Sequence, residues 1–280
     1  MRHPAPIVPL LVCGLVWLAG CTAPAPASPS PSEPAAHSHG SGPEHVTPLV
    51  GDGTRHTEFG YSLERLRLPE RAGVPGTVSF QIRFGGRPVT DYIAEQTKDL
   101  HLYVVRSDLG VFRHLHPSLG PDGTWTAPMT LPAGGRYRVI AELVARVDAD
   151  SGEAVMLGRS GTVRGASGPA AHPEPGGVTA EIEGGLRVGP QERLTVVVRH
   201  PDGGPVQLGD YLGTAAHVTA FDRDTGRLTH LHPLGAPTMD AGGTRLSFHT
   251  QVMQPGRYLC FVQVRVDGFL HTLRVETTAG

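Results

Sequence analysis

His101-Leu-Tyr-Val-Val-Arg-Ser-Asp-Leu-Gly-Val-Phe-Arg-His-Leu-His-Pro117 is written a second time as His217-Val-Thr-Ala-Phe-Asp-Arg-Asp-Thr-Gly-Arg-Leu-Thr-His-Leu-His-Pro233. His101, Asp108, Gly110, His114, His116 and Pro117 each recur 116 positions later. Each copy is two strand-like runs around an Asp- and Gly-containing turn, the pattern of a β-hairpin. The period is longer than the roughly 20–50 residues of a solenoid repeat, so it implies duplication of a whole domain. A chain of 280 residues has room for two domains that each bury a core.

Outward from the hairpins the pattern remains strand-like. Thr77-Val-Ser-Phe-Gln-Ile-Arg-Phe84 alternates apolar and polar residues, and no long helical period competes with it. Gly-Gly-Arg-Pro after Phe84 and Pro-Asp-Gly-Gly-Pro after His200 punctuate the two copies at nearly equivalent places. Further strands are expected over 125–131 and 137–145, with counterparts over 246–252 and 258–266. Gly135-Arg-Tyr137 and Gly256-Arg-Tyr258 follow Pro-containing turns and open apolar strands, resembling the tyrosine corner of immunoglobulin-like sandwiches. The predicted fold is all-β: two tandem immunoglobulin-like β-sandwiches over 56–164 and 178–280, joined by a linker at 165–177.

Residues 1–21 carry Arg2 and an apolar run from Ile7 to Leu18, too short to span a bilayer, and read as a signal peptide. Leu18-Ala-Gly-Cys21 resembles the lipobox of bacterial lipoproteins, which implies lipidation of Cys21 and anchoring at the extracytoplasmic face of the cell membrane. Residues 22–55 are rich in Pro, Ala, Ser and Gly and read as a flexible linker. The linker carries His37, His39 and His45, with His56 just beyond: a solvated tether, or a loose cation-capturing arm. Of the three cysteines two lie in the leader, so Cys260 has no partner and reads as a small buried hydrophobe. Net charge is −2 with no basic run, which removes nucleic acid as a partner.

Residues i and i+2 of a strand share a face, so His114 and His116 project together, as do His230 and His232. Phe112 and Leu228 share those faces, which places the histidines in line with core residues, at the end of each sandwich interior. A two- or four-residue hairpin loop brings His101 opposite His116 and His217 opposite His232, giving a trio in each domain. A three-residue turn with a bulge slips the register and turns the upstream histidine away; both registers fit the sequence. Three neutral imidazoles with an open position suit zinc or copper, with copper(II) ahead in affinity. The alternative is that the histidines hold hairpins in place by bonding backbone carbonyls. His200, His249 and His271 have no first-domain counterparts and are expected to be structural or solvent-facing, although His249 or His271 could complete a second-domain site.

Catalytic patterns are missing. The His-x-His pairs lack the downstream Glu of the cupin motif, and there is no His-Glu-x-x-His, Gly-x-Ser-x-Gly or phosphate-binding glycine loop, so the chain is not expected to be an enzyme.

Asp210-Tyr-Leu-Gly213, His217, Thr229-His-Leu-His-Pro233, Pro255-Gly-Arg-Tyr258 and Val266-Asp-Gly-Phe-Leu-His-Thr272 resemble a family of uncharacterised secreted proteins and lipoproteins of actinobacteria. Its members resemble extracytoplasmic heavy-metal-binding modules. The resemblance implies His217, His230 and His232 as metal positions, with His101, His114 and His116 as their repeat equivalents. After Tyr137 the first domain departs from the pattern and has no match to His271, so the resemblance points to the second domain more than the first. The expected function is a membrane-anchored lipoprotein that binds or buffers copper or zinc. The alternative is a non-catalytic surface β-sandwich whose histidines are structural and which contacts a protein or envelope polymer.

Overall fold

A computed structural model describes residues 45–168 and 177–280. The readings of residues 1–21, Cys21, His37 and His39 lie outside the described residues. The first sandwich is built from β1 (Tyr61–Arg67), β2 (Gly76–Phe84), β3 (Leu100–Arg106), β4 (Phe112–Leu115), β5 (Thr124–Met129), β6 (Gly135–Arg146) and β7 (Ser151–Val163). The second repeats them as β8 (Thr179–Glu183), β9 (Glu192–Arg199), β10 (Ala216–Asp222), β11 (Leu228–Pro233), β12 (Gly243–Thr250), β13 (Gly256–Val266) and β14 (Phe269–Ala279). In the first domain β1-β2-β5 faces β7-β6-β3-β4; in the second, β8-β9-β12 faces β14-β13-β10-β11. This is the immunoglobulin-like arrangement of two antiparallel sheets over one core. In the second domain the end of β11 also pairs with β12, His232 opposite His249, and joins the two sheets.

Each domain has its own core. Leu63, Phe80, Leu102, Trp125 and Val139 pack inside the first, and Val196, Val218, Phe248, Cys260 and Val262 inside the second. Cys260 is fully buried and burial pushes its thiol up to about 12, as expected of a small hydrophobe. Both tyrosine corners form. Tyr137 donates to the Ala133 carbonyl at 2.6 Å and Tyr258 to that of Gln254 at 2.9 Å. Tyr137→Phe should therefore cost about 1–2 kcal/mol by leaving a buried carbonyl unpaired, measured by denaturant titration; an unchanged midpoint would show that the corner is ornamental.

A third apolar cluster lies between the domains. Tyr103, Val105, Leu109, Phe112, Ile140 and Met156 of the first meet Phe221, Leu228, Leu259 and Phe261 of the second. Phe112 stacks on Phe261 with centroids 4.1 Å apart. Strands β3 and β10 are therefore buried along their whole length, one face in a sandwich core and the other against the opposite domain. This corrects the placement of Phe112, Leu228 and the histidines at the end of a sandwich interior. They occupy the outer faces of the two sheets, where one domain covers the other.

The linker also ends sooner than its composition suggests. His45–Val46 pairs in parallel with Ser151–Gly152, and the Val50 carbonyl accepts from Met156 N at 2.8 Å. The open edge of β7 recruits this extended segment, and a side chain at Gly158 would collide with the Gly53 carbonyl beneath it. Residues 45–55 thus pack along the first domain, whose expected start was 56, and His45 is part of a strand. The segment reaches the second domain, where Asp52 O accepts from Leu228 N at 3.0 Å and its carboxylate pairs with Arg227 at 3.1 Å.

Candidate metal centre between the domains

Both hairpins close through four-residue loops, with Arg106 N to Val111 O at 2.9 Å in the first and Asp222 N to Arg227 O at 3.0 Å in the second. Tyr103 then pairs with His114 and Thr219 with His230. Of the two registers the sequence allows, this one puts His101 level with His116 and His217 level with His232. The first-domain trio closes up, and His217 and His230 of the second domain face it across the domain interface, while His232 lies farther out. Ring centroids of His101 lie 5.3 Å from His114, 5.1 Å from His116, 6.3 Å from His217 and 5.8 Å from His230. The two expected sites are therefore one cluster of histidines from both domains.

Outer ring nitrogens are anchored in symmetric pairs. His101 Nε2 meets the Glu95 carbonyl at 3.1 Å, and His217 Nε2 meets that of Tyr211, 116 positions later, at 3.0 Å. His114 Nδ1 faces Gln263 Oε1 of the other domain at 2.7 Å, and His230 Nδ1 faces Glu142 Oε2 of the other domain at 3.0 Å. Glu142 and Gln263 occupy equivalent places, each opposite the first histidine of its own domain. Carbonyls and carboxylates only accept, so the facing nitrogens of His101, His217 and His230 carry the proton. Gln263 Nε2 is taken up by Thr272 Oγ1 at 3.3 Å, which leaves its oxygen for His114.

The inner nitrogens of neutral rings are then lone pairs, and they converge. His101 Nδ1 lies 3.1 Å from His114 Nε2. Nitrogens of His101, His114 and His116 all fall within 4.8 Å of one another. His116 Nε2, His217 Nδ1 and His230 Nε2 are buried with no hydrogen-bond partner among the described residues. Lone pairs turned on each other in a buried space repel unless a cation lies between them. Two imidazoles on one tetrahedral zinc would hold their nitrogens about 3.3 Å apart. Outer nitrogens donating to carbonyls and carboxylates are also how metal-bound histidines are oriented. The residues present thus fit a transition metal, with the first-domain trio the tighter; the resemblance had pointed to the second domain.

Electrostatics keep most of these rings neutral. Burial lowers His101 and His114 and brings His116 down to about 4, neighbouring histidines adding to the effect. Burial, then His230, brings His217 down to about 3. For Glu142, burial pushes the carboxyl up, but the His230 ring outweighs it and holds it at about 2; His230 is raised in turn. A histidine with a lowered folded pKa leaves the unfolded chain binding more protons. Its stability is complete above about pH 6.5 and is lost as the pH falls toward 4 and then 3. The metal-free melting midpoint should fall steadily between pH 7 and 4; a flat profile would mean the rings are not buried neutral.

The other histidines separate. His232 is exposed, its ring 5.1 Å from His230, and His249 stands opposite it. His271 pairs with Val264 of the second core, so it lies on the sandwich-interior side of its strand, away from Gln263. His200 Nδ1 meets the Gly177 carbonyl at 3.3 Å. The sequence reading missed Glu142, Gln263 and Tyr103. Tyr103 stacks on His114 at 4.6 Å and donates to Glu142 at 3.0 Å. The available signal was a buried-type run, Val139 to Val144, interrupted by one Glu.

Residues 173–280 match the model of a domain of unknown function (DUF8832), in agreement with a second domain starting near 178. No curated protein matches the chain. Among solved structures, a tetra-tandem repeat in the extending region of a large adhesion protein is 14% identical, with a TM-score of 0.27, covering 79% of this chain and 49% of that one. Invasin, a bacterial integrin-binding protein, is 18% identical, with a TM-score of 0.22, covering 79% and 39%. Titin A168169 is 14% identical, with a TM-score of 0.20, covering 79% and 98%. The chain thus spans about half or less of the first two structures.

Proposed function

We propose that this chain binds a transition metal, copper or zinc, in the histidine cluster between its two sandwiches. It would do so outside the cytoplasm, tethered to the bacterial membrane by a lipid on Cys21, and would buffer or carry the ion rather than turn over a substrate. The observation that supports this reading is the division of labour within the rings: outer nitrogens of His101, His217 and His230 are committed to acceptors, while inner nitrogens of His101 and His114 meet at 3.1 Å and those of His116, His217 and His230 have no partner among the described residues. Neutral nitrogen ligands suit both metals, with copper(II) favoured in intrinsic affinity. The resemblance to extracytoplasmic heavy-metal-binding modules agrees with it.

A second reading rests on architecture alone. Tandem immunoglobulin-like sandwiches can serve as non-catalytic surface modules that contact a protein or envelope polymer, and the histidines would then only fasten one domain to the other. Calorimetric titration of the full chain with copper(II) and zinc separates the two. Tight saturable binding is expected, lost when His114, His116, His230 and His232 are changed to Ala and weakened by His116→Ala alone, a change at a partly buried position. No heat of binding from the intact chain would leave the surface-module reading.

A further inference from the structure

The two-fold likeness of the cluster breaks at its edges. On one side, Tyr211 packs its ring 5.1 Å from His217, with the Arg265 guanidinium 5.9 Å over that ring, and His217 is fully buried. The equivalent place on the other side is Glu95, which has no ring to close the gap. A cleft of about 430 Å³ opens there, and Glu95, Glu142, His230, His232, His249 and Met253 are among its lining residues. His249 belongs to this side alone, because the equivalent strand of the first domain has no histidine.

Resting on the metal-binding reading, we propose that this cleft is the route by which the ion enters the cluster, with His232, His249 and Glu95 forming a transient outer capture site that passes the ion inward and holds none at equilibrium. His232 and His249 are direct cross-strand partners, which sets their Cβ atoms about 5 Å apart. Neither ring has a hydrogen-bond partner among the described residues. His232 is exposed and His249 partly buried, while His230, 5.1 Å beyond His232, is buried. The wall therefore presents imidazoles in order of increasing burial, from solvent to the unpartnered Nε2 of His230. The Glu95 and Glu142 carboxylates line the same space and would draw a cation inward. The ligand class is a divalent transition-metal ion with nitrogen and carboxylate affinity.

The test is the rate of copper(II) uptake by the full chain, followed by rapid-mixing absorbance of the copper–imidazole band. Wild type is compared with a Glu95→Gln/His249→Ala variant and with His200→Ala, which removes an imidazole outside the cleft. The cleft variant should load at least tenfold more slowly yet reach the wild-type equilibrium stoichiometry, and His200→Ala should load like wild type. Loading of the cleft variant at the wild-type rate would overturn the entry route while leaving metal binding intact. A reduced stoichiometry would overturn it too, by making these residues ligands of the inner site. A wild type that takes up neither copper nor zinc would overturn both the route and the metal-binding reading.

Discussion

Glu142→Ala should destabilise the folded chain by about 3–5 kcal/mol and lower its melting midpoint by roughly 10 °C. Glu142 is 4% exposed, and its Oε2 accepts from both Tyr103 Oη and His230 Nδ1, each at 3.0 Å. Removing the carboxylate strands a buried hydroxyl, and it strands a ring whose proton the carboxylate holds in place. Such groups cost far more unpaired than the intact pair contributes. Glu142→Gln keeps the shape and one acceptor, as Gln263 does at the equivalent place, so its loss should be smaller. Differential scanning calorimetry measures both; a midpoint within a degree or two of wild type for Glu142→Ala would mean that solvent reaches and satisfies these groups.

Phe112→Ala should cost about 3–5 kcal/mol, and the loss should fall on the seam between the domains. Phe112 is 3% exposed, lies flat against Phe261 with an interplanar angle of 8°, and belongs to the interdomain cluster rather than to either sandwich core. The cavity left by truncation would loosen the docking while leaving both cores filled. A single calorimetric transition should then broaden or split into two. Because the histidines of both domains meet beside this seam, the same variant should bind copper(II) less tightly although no ligand is altered. A sharp transition of unchanged affinity would show that the histidine cluster holds the domains together without the apolar seam.

Much of this fold is legible in the residues. The 116-residue offset announces two copies, alternation and turn residues give their strands, and Gly-Arg-Tyr marks the corners where Tyr137 and Tyr258 bond back to the chain. These features are local: side-chain period and turn chemistry act over a few residues, so the sequence displays them. The same locality limits the site. Each hairpin names its histidines, but two loop lengths suit the same letters, and only pairing along β3–β4 and β10–β11 settles that His101 and His217 join them.

The segment from residue 45 shows the limit in another form. Its composition is that of a tether, yet it lies along β7 because that edge has backbone groups to pair. Likewise Phe112 and Leu228 read as apolar and therefore as core, and nothing within either copy tells whether the apolar face is covered from inside the sandwich or by another domain. The sequence by itself determined two immunoglobulin-like sandwiches and, in each, a His-x-His pair with an upstream histidine as its candidate third member. Tertiary structure alone decided that His101, His114 and His116 share one space with His217 and His230, with Glu142 and Gln263 anchoring rings of the opposite domains. That outcome depends on burying two apolar sheet faces against each other, an energy that belongs to the pair of surfaces and to no stretch of either.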